Sequence, residues 1–272
     1  MRIALGIEYD GSGWGGWQFQ GHDPHTLQQV LQEALAQVAG HEIGLVAAGR
    51  TDAGVHASDM VAHFDSEAQR SMRAWVYGAN AHLPASVAVR WAQPVPEDFH
   101  ARFSAIARRY RYVIYNEPLR SALWQNRVAW HYRPLDVLRM QEAAQAFLGE
   151  QDFSSVRAAG CQARHARRCI HFLKLWRQGS LLVLDIEANG FLHHMVRNIA
   201  GILLAIGDGR RPPGWAAEVL AARDRTQAAV TAPPYGLYFV RARYPEAYVL
   251  PQPALGPDFV LSADLQPSSL QV

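Results

Sequence analysis

Two apolar-alternating runs, 171–176 and 181–187, flank Gln178-Gly179-Ser180. That spacing predicts a β-hairpin, and hairpins join antiparallel strands. A sheet built this way is not the doubly wound parallel kind, in which a crossover helix follows each strand. Further strands are predicted over 2–9, 44–48, 60–64, 87–91, 99–104, 108–116 and 236–243. In 108–116, Tyr110, Tyr112, Ile114 and Asn116 share one face, and Arg109, Arg111, Val113 and Tyr115 share the other. Helical spacing places Leu27, Val30, Leu31, Ala34, Leu35 and Val38 on one stripe, with Thr26 as N-cap and Gly40 as stop. Helices are also predicted over 72–81, 134–148, 191–206 and 215–222. The fold class is therefore α+β. The order of elements is similar on both sides of residue 105. This predicts two related halves, 1–105 and 106–245, followed by an irregular tail, 246–272, with four prolines.

A chain of 272 residues with 49% hydrophobic content builds a core without disulfides or a structural metal. Cys161 and Cys169 are too few for a disulfide scaffold or a zinc site, so a reduced, cytoplasmic setting is expected. The longest apolar run, 199–206, is far below the roughly 20 residues that cross a bilayer, so no membrane partner is expected. No Walker A lysine, G-x-S-x-G elbow or H-E-x-x-H is present.

Four segments can carry chemistry. The loop Gly49-Arg50-Thr51-Asp52-Ala53-Gly54-Val55-His56 brackets an arginine, an aspartate and a histidine with glycines. Asp52, two residues from a cation, is a candidate nucleophile or base; the competing reading is an Asx-turn former. Residues 99–115 interleave Phe99, Phe103, Tyr110, Tyr112 and Tyr115 with His100, Arg102, Arg108, Arg109 and Arg111. That pattern suits stacking on unpaired bases beside phosphates, or a core strand with a solvated basic face. Arg164, Arg167 and Arg168 surround His165 and can grip a phosphate backbone or simply face solvent. Adjacent His193 and His194 point about 100° apart on a helix, a poor metal pair, whereas Arg197 in the same apolar helix needs a carboxylate partner if buried. Net charge is only +2, yet 25 of the 26 basic residues are arginines. A GC-rich genome explains that bias as readily as RNA binding does, so the clustering counts for more than the total.

Taken together, these pieces resemble tRNA pseudouridine synthases of the TruA type. The resemblance is carried by Tyr9-Asp10-Gly11-Ser12 with Gly16-Trp17-Gln18, and by residues 49–56. It continues through 98–104, Arg109-Tyr110-Arg111-Tyr112, 149–153, 191–198 and Gly236-Leu237-Tyr238. The resemblance implies the pseudouridine synthase fold, two α+β halves with antiparallel sheets joined around a central catalytic cleft. It implies isomerisation of uridine at positions 38 to 40 of the tRNA anticodon arm, by a homodimer, without cofactor or metal. Asp52 would be the nucleophile, Tyr110 would pack on the target base, and Arg197 would pair with Asp52. Arg50 would replace or hold out the flipped nucleotide, Leu237 would line the pocket floor, and Arg109, Arg164 and Arg168 would contact RNA. The chain departs from the family pattern at Trp14, where Tyr or Phe is usual, and at Leu27, where Val is frequent. It also lacks the usual proline after Cys161, which bears on the RNA role of 162–168. Two other classes compete. A non-catalytic RNA-binding protein has no use for a buried Asp52–Arg197 pair. A glycosidic hydrolase ordinarily needs a second carboxylate, and the Asp52 loop has none.

Overall fold

The structure, a computed structural model, describes residues 1–18 and 25–261, so the end of the expected tail, 262–272, lies outside the described residues. In chain order the first elements are β1 (Arg2–Tyr9), α1 (Leu27–Ala39), β2 (Val46–Ala47), β3 (His56–Asp65), α2 (Met72–His82), β4 (Val87–Val95) and β5 (Ala107–Asn116). Then follow β6 (Ala129–His131), α3 (Val137–Ala144), β7 (Gly149–Asp152), β8 (Arg167–Gln178), β9 (Leu181–Ala188), α4 (Met195–Gly207), α5 (Trp215–Ala222) and β10 (Leu237–Arg243). The architecture is mixed α+β.

Two compact units result, one from Met1–Arg109 with Tyr238–Pro253, the other from Tyr110–Leu237 with the chain from Ala254. The sequence halves divide at residue 105 and close at 245. The units instead divide inside β5, and most of β10 returns to the first, because it pairs there with β3.

In the first unit β1 lies between β3 and β4, antiparallel to both, and β10 runs parallel to β3 with Tyr238 opposite His56. Gly6 on β1 leaves room for the Trp91 indole, which a Cβ would meet at 1.9 Å. Helix α1 buries Leu27, Leu31, Ala34 and Leu35 of the predicted stripe and leaves Val30 and Val38 half-buried. Gly40 ends it at φ +78, the left-handed conformation that glycine adopts most readily. Thr26 occupies the N-cap position, but its side chain makes no capping bond. Ser71 does cap α2, accepting from the Ala74 N–H.

In the second unit β8 pairs antiparallel with both β7 and β9, and β5 lies beside β9 with short β6 parallel to it. The predicted hairpin forms, with Gly179 at φ +56 in its turn. Asp136 caps α3 through the N–H groups of Leu138 and Arg139, so the helix starts after residue 134 and ends before 148. Helix α4 begins at Met195 rather than 191. His194 stands at φ +60, and the backbone of His193 is tied to Ala158 and to the Cys161 sulfur. The expected strand over 99–104 is instead a turn. His100 Nδ1 accepts the N–H groups of Arg102 and Phe103, so local side-chain bonds outcompete a ladder.

Strand β5 does not divide into a buried face and a solvated arginine face. Arg111 is fully buried, 3.0 Å from the Asp185 carboxylate, and donates to the carbonyls of Leu255 and Gly256. Its guanidinium also lies over the Trp176 ring. Removing one partner of such a pair leaves an uncompensated buried charge, at a cost of about 3–5 kcal/mol. Asp185→Ala should therefore lower the unfolding midpoint by about 10 °C. Arg111→Met combined with Asp185→Leu should recover most of that loss; thermal melts of the three proteins check this.

Candidate active site

The first unit presents the Asp52 loop on a frame from the N-terminal strand and the turn that follows it. The Val55 N–H bonds to the Asp52 carbonyl at 3.1 Å and Gly54 sits at φ +79, the value the third position of a type II turn requires. A backbone bond and a left-handed glycine thus close the chain reversal. Thr51 is held twice. Its hydroxyl meets the Tyr9 hydroxyl at 2.8 Å in the core, and its carbonyl accepts the Trp17 N–H at 3.0 Å. Gly16, at φ +103, is pressed so close that a Cβ would lie 2.9 Å from the Thr51 carbonyl oxygen. Gly11 is closer still to the far end of the loop, since a Cβ there would fall 1.9 Å from the Val55 oxygen. The two glycine-rich sequence segments are therefore parts of one construction.

His56 closes that construction. It is buried, and its ring stacks on Tyr238 at 4.6 Å. Its Nδ1 lies 3.1 Å from the Gly11 N–H and 3.2 Å from the Asp10 carboxylate. Asp10 also accepts from the Ser12 amide and hydroxyl. The close approach of the His56 ring first, then the bonds from Ser12, hold the Asp10 carboxyl far below the usual carboxylate range. Asp52 itself is half-buried at the lip of the loop, and Arg50 is exposed. Desolvation, and then the like charge of Arg102, lower the Arg50 pKa.

Arg108 is not a free phosphate ligand. Its guanidinium donates to the Ala48 carbonyl just before the loop, at 3.1 and 3.2 Å, and to the carbonyls of Ala105 and Arg102. It therefore staples the root of the Asp52 loop to the 99–104 turn. Arg109, at the end of the first unit, is half-buried.

In the second unit Tyr110 is buried, with Phe191 meeting its ring edge-to-face at 5.1 Å. Tyr112 is fully buried and its hydroxyl donates to the Pro233 carbonyl at 2.8 Å; burial pushes its phenol pKa up. Arg197 is half-buried on α4, and its Nε donates to the Ala232 carbonyl at 2.9 Å. The Ala232 N–H returns a bond to the Arg197 carbonyl. Next to it, Asn198 is fully buried, donating to the Val156 carbonyl and accepting from Thr231 and Arg225. Gly201 lets the Val230 carbonyl approach to where a Cβ would be 2.2 Å away. The 229–232 segment is thus clasped along one side of α4, and Arg197 is part of the clasp.

Leu237 is buried at the start of β10. Arg164 is exposed. Arg167 pairs with Glu150 at 3.1 Å on the surface, and Arg168 bends back to the carbonyls of His165 and Arg167. His193 and His194 precede α4 rather than standing on it, so helical spacing does not apply, and their rings lie 3.9 Å apart. Phe191, Asn198, Thr51 and Tyr9 lie in segments that carry the family resemblance, but sequence reasoning gives them no role of their own. For Asn198 the available signal was a polar residue inside an apolar helix.

A family model described as tRNA pseudouridine synthase matches residues 7–104 and 143–245. The chain is 54% identical over 256 residues to tRNA pseudouridine synthase A of Alcanivorax borkumensis, covering 94% of this chain and 96% of that one. It is 55% identical over 259 residues to the protein of that name in Pseudomonas aeruginosa, covering 95% and 91%. Its Legionella pneumophila counterpart is 54% identical over 260 residues, covering 96% and 99%.

Proposed function

The chain belongs to the tRNA pseudouridine synthase family and is an enzyme that isomerises uridine in tRNA; from that premise we propose that its targets are uridines 38 to 40 of the anticodon arm, with Asp52 as the reacting carboxylate. The observation that carries this reading is the clamped Asp52 turn, which lies within the residues the family model matches. Isomerisation breaks the N1–C1′ bond of uridine, turns the base and forms a C5–C1′ bond; C5 then gives up its hydrogen as a proton, and the freed N1 takes one up. Nothing is oxidised or reduced, so a fixed carboxylate and a pocket that retains the detached uracil are enough. A loop that must hold a carboxylate at one place benefits from a backbone that cannot drift, and the frame of Gly11, Gly16, Tyr9 and Thr51 supplies that rigidity.

The other assignments follow from the family resemblance. Tyr110 stacks on the target base, Arg197 is the counter-charge of Asp52, and Leu237 forms the pocket floor. Arg50 takes the place of the flipped nucleotide or holds it out. Arg109, Arg164 and Arg168 meet the RNA backbone, and Arg164, the exposed one of the three, is best placed to do so. Flipping costs a few kcal/mol, and stacking on one aromatic ring offsets about 1–3 kcal/mol of it. No helix among the described residues is long and apolar enough to cross a membrane. A cytoplasmic homodimer is part of the proposal.

The test is turnover of tRNA transcripts that keep or lose uridine at positions 38 to 40. Replacing those uridines by cytidine should remove product while leaving affinity within about twofold. Product formed elsewhere in the transcript at the same rate would refute the positional assignment.

A further inference from the structure

The 99–104 turn carries a feature that the reaction, as described, does not use. Phe103 is 75% exposed, and its ring stacks on His100 at 4.4 Å with the Arg102 guanidinium 5.5 Å over it. The turn below is fixed from several directions. Ser104 accepts the His100 N–H, His63 Nδ1 accepts the Ala101 N–H, and the Ala101 carbonyl accepts the Tyr244 hydroxyl. Arg2 reaches the Phe99 carbonyl at 2.9 Å. Single exposed apolar side chains are ordinary. Here, though, the exposed ring stacks on an imidazole and lies beside a cation, on a turn held by hydrogen bonds.

The turn is also tied to the Asp52 loop. Arg108 bonds the Ala48 carbonyl before the loop and the Arg102 and Ala105 carbonyls in and after the turn. Arg50, two residues from Asp52, and Arg102 are near enough that their like charges oppose one another. A guanidinium beside a largely exposed aromatic ring suits one ligand chemistry above others. A nucleotide brings a base with a π-face for the ring and a phosphate for the arginine. An apolar peptide would cover the ring and leave the Arg102 charge uncompensated.

We propose that Phe103 is a stacking platform for an unpaired base of the RNA substrate next to the target uridine, with Arg102 turning from the ring to that nucleotide's phosphate. This rests on the reading of Asp52 as the reacting carboxylate. It adds a second base contact, outside the target pocket and fixed to the same loop through Arg108. Such a contact holds the strand beside the flipped uridine, so it acts on RNA affinity and hardly on the chemical step.

The experiment compares the full-length protein with Phe103→Ala and Phe103→Trp, measuring tRNA affinity and turnover at saturating tRNA. Phe103 is exposed, so both variants should melt like the parent. Phe103→Ala should weaken tRNA binding about tenfold, as loss of one stacked base implies, with maximal turnover falling less than about threefold. Phe103→Trp should restore affinity to within about twofold and show extra indole fluorescence quenched by tRNA. Unchanged affinity in Phe103→Ala overturns the platform. So does a change in sedimentation with tRNA affinity intact, which would make the ring a protein contact. If the parent protein isomerised no uridine, the reading of Asp52 would fall, and the affinity comparison would still decide the platform.

Discussion

Asp52→Asn should abolish turnover, by about 10^4-fold or more, while tRNA affinity and the melting temperature stay close to those of the parent. The substitution leaves the backbone frame of the turn intact. The turn is closed by the Asp52 backbone carbonyl and by Gly54, neither of which changes. The anchors at Thr51 and Val55 do not involve the carboxylate. Asparagine is as good a turn former as aspartate. If Asp52 served only the turn, the variant would keep its activity. Single-turnover assays, with mass spectrometry to exclude deamidation, check the outcome.

The second large effect is expected at Tyr110. Removing its hydroxyl in Tyr110→Phe leaves the ring, its burial and its edge-to-face contact with Phe191 in place. A ring that only stacks would tolerate that loss. If the hydroxyl moves the C5 proton, kcat should fall about a hundredfold with tRNA affinity unaltered, and that is the expected result. Tyr112→Phe is the matched control. Its hydroxyl is committed to the Pro233 carbonyl inside the second unit, so its loss should cost about 1 kcal/mol of stability and little activity. Kinetic traces and melts of the two variants separate these roles. Equal kinetic damage from both would mean that the strand positions have been assigned to the wrong roles.

Local signals were legible where the cause is local. Gly179 in the hairpin turn, Gly40 at the end of α1 and the limits of α5 follow from what neighbouring residues demand. The Asp52 loop was legible as a glycine-bracketed polar segment, and its family was legible from the run of residues around it. The parts that misled have distant or side-chain causes. Arg111 looks like a surface cation on an alternating strand, but the carbonyls that bury it come from Leu255 and Gly256, far along the chain. Residues 99–104 have the composition of a strand, yet the His100 imidazole captures the amides that a ladder would need. Helix α4 starts late because His194 adopts a left-handed backbone, which no periodicity announces. Arg108 and Arg109 are adjacent and alike in sequence, and only the structure assigns one of them to stapling the loop.

The central claim is that this chain moves the ribose of an anticodon-arm uridine from N1 to C5, and loss of the C5 hydrogen reports that event directly. A transcript with tritium at uridine C5 and a single target uridine at position 39 should release one tritium per RNA when incubated with the protein and no added cofactor. Tight binding of that transcript, with its tritium fully retained, would contradict the account and leave an RNA-binding protein in its place.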